Sequence, residues 1–167
     1  MIVSPFTVVV DTREQHPFHF ASIPVDRKQL KKKLDDGVSP GVVVVKMTRQ
    51  GLATGDYSIE GMEDRFAIER KSKADLFHCM GSDRDRFEEQ FRRLNSLERA
   101  AIVVEADWPS VFMGCPECEL RPKVVHRTAI SWQVKYPNVH WWMCQTRAFA
   151  ELTTYRILEK WWQAEKG

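Results

Sequence analysis

Gly55-Asp56-Tyr57-Ser58-Ile59, then Gly61, then Arg65-Phe66-Ala67-Ile68-Glu69-Arg70-Lys71-Ser72 carries the clearest local pattern in the chain. Polar and apolar residues alternate on both sides of a glycine-bounded turn, the period-two pattern of a β-hairpin. After Ser72 the pattern becomes helical. On the second strand, residues two apart point the same way, so Glu69 and Lys71 share one face while Ile68 and Arg70 share the other. Asp56 lies on the partner strand, where antiparallel pairing can bring its carboxylate within reach of Glu69. Two carboxylates with a backbone carbonyl suit Mg²⁺ or Mn²⁺, because hard divalent cations prefer oxygen ligands. An ammonium beside them can stabilise negative charge building on a phosphoryl group. Asp…Glu-x-Lys is therefore a sensible site for phosphodiester hydrolysis, although these residue types are too common for the spacing alone to decide.

Residues 6–11, 42–47, 100–104 and 139–143 are β-branched or apolar runs that read as strands, giving six with the hairpin. Residues 26–34 read as a helix with Leu30 and Leu34 inward and Lys28, Lys31, Lys32 and Lys33 outward, broken by Gly37 and Pro40. A second helix follows Ser72, and a third over 83–97 puts Phe87, Phe91, Leu94 and Leu97 on one face. Pro122 opens a helix over 121–136 with Val125, Ala129, Trp132 and Tyr136 at helical spacing. The last helix, from Thr146 onward, groups Ala148, Leu152, Tyr155 and Trp162. Strands alternating with helices around a hairpin predict an α/β fold with a mixed sheet, and no repeat or linker divides residues 1–167 into more than one domain.

The 167 residues, 43% hydrophobic and 29% charged, have the composition of a globular chain and exclude a disordered or collagen-like one. No apolar run approaches the roughly 18 residues of a membrane span. Nothing marks the N-terminus for secretion, so an intracellular location and no membrane partner are expected. The net charge of +2 argues, taken alone, against a nucleic-acid binder. The charge is unevenly spread, however. Residues 121–150 hold Arg121, Lys123, Arg127, Lys135 and Arg147 without one carboxylate, leaving 20 basic against 23 acidic residues elsewhere. Trp132, Tyr136, Trp141 and Trp142 lie in the same segment. Bases among aromatics suit nucleic acid, and equally suit a core with a solvated basic face.

Val10-Asp11-Thr12-Arg13-Glu14, Gly55-Asp56-Tyr57 and Glu69-Arg70-Lys71-Ser72-Lys73-Ala74-Asp75, in that order, resemble the signature of the XPF/Hef family of structure-specific DNA endonucleases. Arg86-Phe87-Glu88-Glu89-Gln90-Phe91-Arg92-Arg93-Leu94 resembles that family's R-F-x-x-Q-x-x-R-L helix. The resemblance implies a restriction-endonuclease-like fold, a mixed β-sheet flanked by helices, and a metal-dependent cut leaving a 5′-phosphate and a 3′-hydroxyl. It implies metal ligation by Asp56 and Glu69, with the Arg70 carbonyl as third ligand and Asp11 as a further acid acting through water or a second ion. Lys71 becomes the catalytic lysine, Asp75 the closing acid, and Arg13, Glu14 and Arg70 organisers of the site. Arg13, Arg86 and Arg93, with Lys123 and Arg127 from the acid-free segment, are the expected DNA contacts.

Structural readings stand beside these. Asp75 follows Ser72 by three residues and can close a capping box. Glu89 is placed to pair with Arg86 or Arg93 but cannot fully occupy both. Cys115-Pro116-Glu117-Cys118 has metal-ligand spacing without a second C-x-x-C; zinc held with His126 is one reading, and a reduced structural pair is preferred. Trp141-Trp142 and Trp161-Trp162 suggest a face for a homodimer or heterodimer. No tandem helix-hairpin-helix pattern like that of many family members is read within residues 1–167, so substrate geometry is expected to come from the nuclease domain, a dimer partner or a separate DNA-targeting protein. The leading expectation is a DNA endonuclease; the alternative is a non-catalytic DNA-binding or scaffolding subunit.

Overall fold

The computed structural model describes residues 2–26 and 41–167. The described strands are β1 (Ile2–Asp11), β2 (Val43–Gln50), β3 (Tyr57–Ile59), β4 (Phe66–Lys71), β5 (Arg99–Val104) and β6 (Val139–Met143). The described helices are α1 (Lys73–Met80), α2 (Arg84–Asn95), α3 (Trp108–Phe112), α4 (Pro122–Lys135) and α5 (Arg147–Lys166). The strands form one sheet in the order β2-β1-β3-β4-β5-β6. β1 pairs parallel with β2, and β4, β5 and β6 run parallel to one another. β3 is antiparallel to both β1 and β4, which makes the sheet mixed and seats the expected hairpin at its centre.

Alternation along the central strands sends side chains into two cores. Ile68, Ala101 and Val103 pack with Phe6, Tyr57, Tyr155 and Leu158 on the α5 side of the sheet. Ala67, Ala100, Ile102 and Val104 pack with Phe77, Phe91, Val125 and Trp132 from α1, α2 and α4 on the other. A strand buried on both faces has no reason to alternate, which explains the unbroken apolar run from Ala100 to Val104.

The expected helix over 26–34 lies, beyond Asp26, outside the described residues. β1 starts at Ile2, earlier than expected, and its pairing with β2 shifts register between Val3 and Thr7. Pro5, which cannot donate to the ladder, falls inside that irregularity, and Ser4 Oγ donates to Phe6 O at 2.6 Å. α3 has no counterpart among the expected elements; five residues are too few to show a period, and it is nucleated by Asp107, whose Oδ1 accepts from Ser110 N at 2.8 Å. On α5, Ala148 is exposed, and Ala150 and Thr154 are buried in its place. Among the described residues no helix is long and apolar enough to cross a membrane.

Candidate active site

The β3–β4 pair places Asp56. Its N–H donates to Ile68 O at 2.8 Å, and its Oδ2 accepts from Arg70 N at 2.7 Å, so the carboxylate is fastened across the hairpin one residue before β3 begins. Gly55 makes this turn possible: its φ is +79°, and a Cβ there would stand 2.9 Å from Ala67 Cβ and 3.1 Å from Ile68 O. Gly55→Ala is expected to cost about 2 kcal/mol or more, from the left-handed backbone and the clash together, read as a lower urea midpoint at unchanged slope.

Glu69 and Lys71 leave β4 on one face, as the alternation requires. Lys71 Nζ stands 2.6 Å from Glu69 Oε1 and 5.1 Å from the centre of the Phe87 ring. The other Glu69 oxygen accepts from Gln90 Nε2 of α2. A cleft of about 340 Å³ opens here, lined by Asp11, Asp56, Glu69 and Lys71 and, at its rim, by Arg13, Arg86, Gln90 and Arg93. Burial, then the nearby Glu69 charge, push the Asp56 carboxyl well above the usual carboxylate range. Burial also raises Glu69, despite the opposing pull of Lys71. Burial works against the Lys71 ammonium, but the charge and hydrogen bond of Glu69, with the neighbouring Cys79 and Asp56, together outweigh it and the pKa is pushed up to about 12. The site is thus a lysine cation beside two acids whose ionisation the protein resists.

Arg70 points the other way. Its Nε and Nη2 meet the two Glu14 oxygens at 2.9 and 3.1 Å, and Nη1 meets Glu105 Oε1 at 3.0 Å. Burial opposes ionisation of Glu14, but the Arg70 fork holds its carboxyl below the usual range. Arg70 does not line the cleft; its backbone N–H holds Asp56, and its side chain ties Glu14 to Glu105 from behind.

Several expected residues are placed differently. Asp11 lines the cleft, but its Oδ1 accepts from Leu52 N at 2.9 Å and its Oδ2 from Arg13 Nε at 2.8 Å. Among the described residues no group of three or more His, Cys, Asp or Glu side chains is disposed to hold a metal ion, so Asp11 does not complete a three-acid cluster with Asp56 and Glu69. Asp75 is not brought into the cleft: it is exposed at the start of α1, its N–H donating to Ser72 Oγ at 3.1 Å and its Oδ2 accepting from the same hydroxyl at 2.7 Å. That is the capping-box reading. Lys123 and Arg127 lie on α4 and do not line the cleft. Glu89 pairs with Arg92 at 2.7 Å and more loosely with Arg93 at 3.9 Å, while Arg86 makes no ion pair with any described residue. Cys115 and Cys118, two of the candidate zinc ligands, lie together, whereas His126 lies elsewhere. The two sulfurs lie 2.7 Å apart, their hydrogen bond pushes the Cys115 thiol up to about 11, and His126 instead packs against the Trp108 and Phe112 rings.

Gln90 lies within the helix motif but has no local signal for its role, because its partner Glu69 is 21 positions away. Glu105 and Arg147 carry no local signal either, since each finds its partner only through the sheet. Trp132 and Tyr136 are core residues, whereas Trp142 is 46% exposed.

The ERCC4 domain family model matches residues 10–155 of the chain. Among solved structures the chain is similar to XPF from Aeropyrum pernix, with a TM-score of 0.58 and 20% identity over 92% of this chain and 58% of that one. It is also similar to XPF from Aeropyrum pernix in complex with DNA, with a TM-score of 0.61 and 19% identity over 96% of this chain and 66% of the other. The chain thus spans less than two thirds of either. No curated protein matches it. At these identities the likeness shows the fold, which is restriction-endonuclease-like, as expected.

Proposed function

The chain belongs to the ERCC4 domain family, and on that premise we propose that it is a divalent-metal-dependent DNA endonuclease acting on branched or otherwise structured DNA. The observation that carries this reading is the convergence of Asp56, Glu69 and Lys71, with Arg13, Arg86 and Arg93 at the rim of the same cleft. The likeness to XPF in complex with DNA supports DNA as the substrate. ERCC4 nucleases are generally divalent-metal dependent, and the donors fit. Asp56 and Glu69 are hard oxygen ligands; burial raises both carboxyls and the Glu69 charge adds to it at Asp56, so a dication there would favour the ionised forms that burial disfavours. Asp56 and Glu69 are the residues that would hold Mg²⁺ or Mn²⁺; Gln90 and Lys71 orient Glu69, and Asp11 acts from the cleft wall through Arg13 and Leu52. When bound, such an ion lowers the pKa of a coordinated water and polarises a phosphoryl oxygen.

Lys71 contributes a permanent positive charge, poised 2.6 Å from Glu69, for the negative charge that develops on the phosphoryl group. Arg86, free of carboxylate partners among the described residues, grips phosphate on the scissile strand. Arg93, half-engaged by Glu89, assists it. Lys123 and Arg127 bind phosphate beyond the cut site. Reversing Arg86 to Glu is therefore expected to weaken both binding and cutting. The pair Lys123→Glu with Arg127→Glu should weaken binding alone. It should also flatten the plot of log affinity against log salt by about 0.9 for each phosphate no longer neutralised. Unchanged salt slopes in filter-binding titrations would remove these residues from the interface.

A dimer is also part of the reading. An apolar groove of about 450 Å³ along β6 and α5, lined by Trp142, Phe149, Leu152, Ile157 and Trp161, supports a second subunit, identical or related. The test of function is cleavage of end-labelled flap, fork, four-way junction and plain duplex DNA with Mg²⁺ or Mn²⁺. Faster cutting of one or more branched substrates than of duplex is expected. Tight binding of all four without cutting would instead favour the scaffolding subunit.

A further inference from the structure

Arg147 occupies the first position of α5, where the positive end of the helix macrodipole disfavours a cation. Its surroundings account for it. Nη1 lies 2.6 Å from Glu105 Oε1, the same oxygen that Arg70 Nη1 meets at 3.0 Å. Nη2 donates to His16 O at 2.7 Å and Pro17 O at 3.0 Å, and the guanidinium lies 4.8 Å from the centre of the Phe18 ring. One side chain thus grips the segment that follows β1 by two carbonyls and a ring, and ties it to the end of β5.

That segment carries Glu14 and Phe18, and each leads back to Asp56. Glu14 receives the Arg70 fork, and Arg70 N donates to Asp56 Oδ2. Phe18 stacks on Tyr57 at 5.3 Å between ring centres, its N–H donates to Tyr57 Oη at 2.9 Å, and Tyr57 is the residue after Asp56. Both routes run through direct hydrogen bonds and ring contacts, and both close on Arg147.

We infer that Arg147 is a positioning residue for Asp56, acting through the 12–18 segment and the Glu105–Arg70–Glu14 chain rather than by touching DNA. The inference rests on the endonuclease reading for its kinetic consequence, and it gives Arg147 a different task from a free surface base, since Glu105 matches its charge in space. Lysine cannot replace it fully, because a single ammonium cannot fork across Glu105, two carbonyls and a ring together.

The test compares the wild type with Arg147→Ala and Arg147→Lys, below the melting temperature of each. Arg147→Ala is expected to lower kcat by about tenfold or more with KM changed less than about twofold, since small misplacements of a reacting group cost rate rather than binding. Amide hydrogen exchange in residues 12–18 should rise in parallel, and Mn²⁺ affinity, read by titration calorimetry, should fall. Arg147→Lys should lie between the two in all three measurements. A lower melting temperature with unchanged kcat, exchange and Mn²⁺ affinity would mean that Arg147 merely stabilises α5, and would overturn the inference. If the wild type cuts no DNA, the endonuclease reading falls by itself, and exchange together with Mn²⁺ affinity still decides whether Arg147 positions the cleft.

Discussion

Asp56→Asn and Glu69→Gln should each reduce DNA cleavage by about 1000-fold while leaving binding nearly intact, because each removes a negative oxygen donor at the point where charge must be managed in the transition state. Their effects on stability should differ in size. Burial and the neighbouring Glu69 raise the Asp56 carboxyl well above its usual range, so the folded chain holds a proton that the unfolded chain releases. Between the ordinary carboxylate pKa of about 4 and the raised folded value, the unfolded state binds fewer protons, and stability falls as pH rises. Asp56→Asn abolishes that loss and still accepts the Arg70 N–H, so without divalent ions it should melt higher than the wild type near neutral pH, with a smaller difference at pH 4. Glu69→Gln removes a carboxyl whose ionisation burial also opposes, but it takes away the partner of the largely buried Lys71 ammonium, so its melting should shift upward less than that of Asp56→Asn. Thermal melts in chelator at the two pH values check both. A wild type whose stability rises steadily from pH 4 to neutral would contradict this account of Asp56.

Arg70→Ala should be the most destabilising substitution of the site, at about 3–5 kcal/mol, because it breaks a buried ion pair and abandons its partner. The side chains of Arg70 and Glu14 are 8% and 5% exposed, and three guanidinium donors are engaged at once. Removing the guanidinium leaves Glu14 charged in a place that water scarcely reaches. Lysine would restore a charge but not the three-pronged geometry, so Arg70→Lys should recover part of the stability. Urea denaturation reads this directly; a destabilisation below about 1 kcal/mol would mean that the pair is not closed in solution.

The centre of the fold is legible in the sequence because its signals are local. Alternation over Arg65–Lys71 and the glycine before Asp56 report neighbours one or two residues away, and they bring Asp56, Glu69 and Lys71 together. The Ser72-x-x-Asp75 box is legible for the same reason, and the structure assigns Asp75 to it rather than to the cleft. What the chain does not disclose are partners joined only by the sheet: Gln90 with Glu69, Glu105 with Arg70 and Arg147. The charge of residues 121–150 misleads in this way. Lys135 is paired with Glu88 and Arg147 with Glu105, both acids from outside the segment, so a basic tract in sequence is partly neutral in space. Tryptophan is ambiguous because burial and display use the same residue. Trp132 goes to the core, while Trp142 remains at the sheet edge.

Cleavage of a 5′-labelled branched DNA in Mn²⁺, by the wild type and by Glu69→Gln and Lys71→Ala, is the most direct trial of the two-acid, one-lysine site. An internal cut by the wild type alone is expected, leaving a 5′-phosphate and a 3′-hydroxyl, abolished by chelator and restored by added Mn²⁺. Cutting at the wild-type rate by both variants, or cutting that persists in chelator, would contradict it.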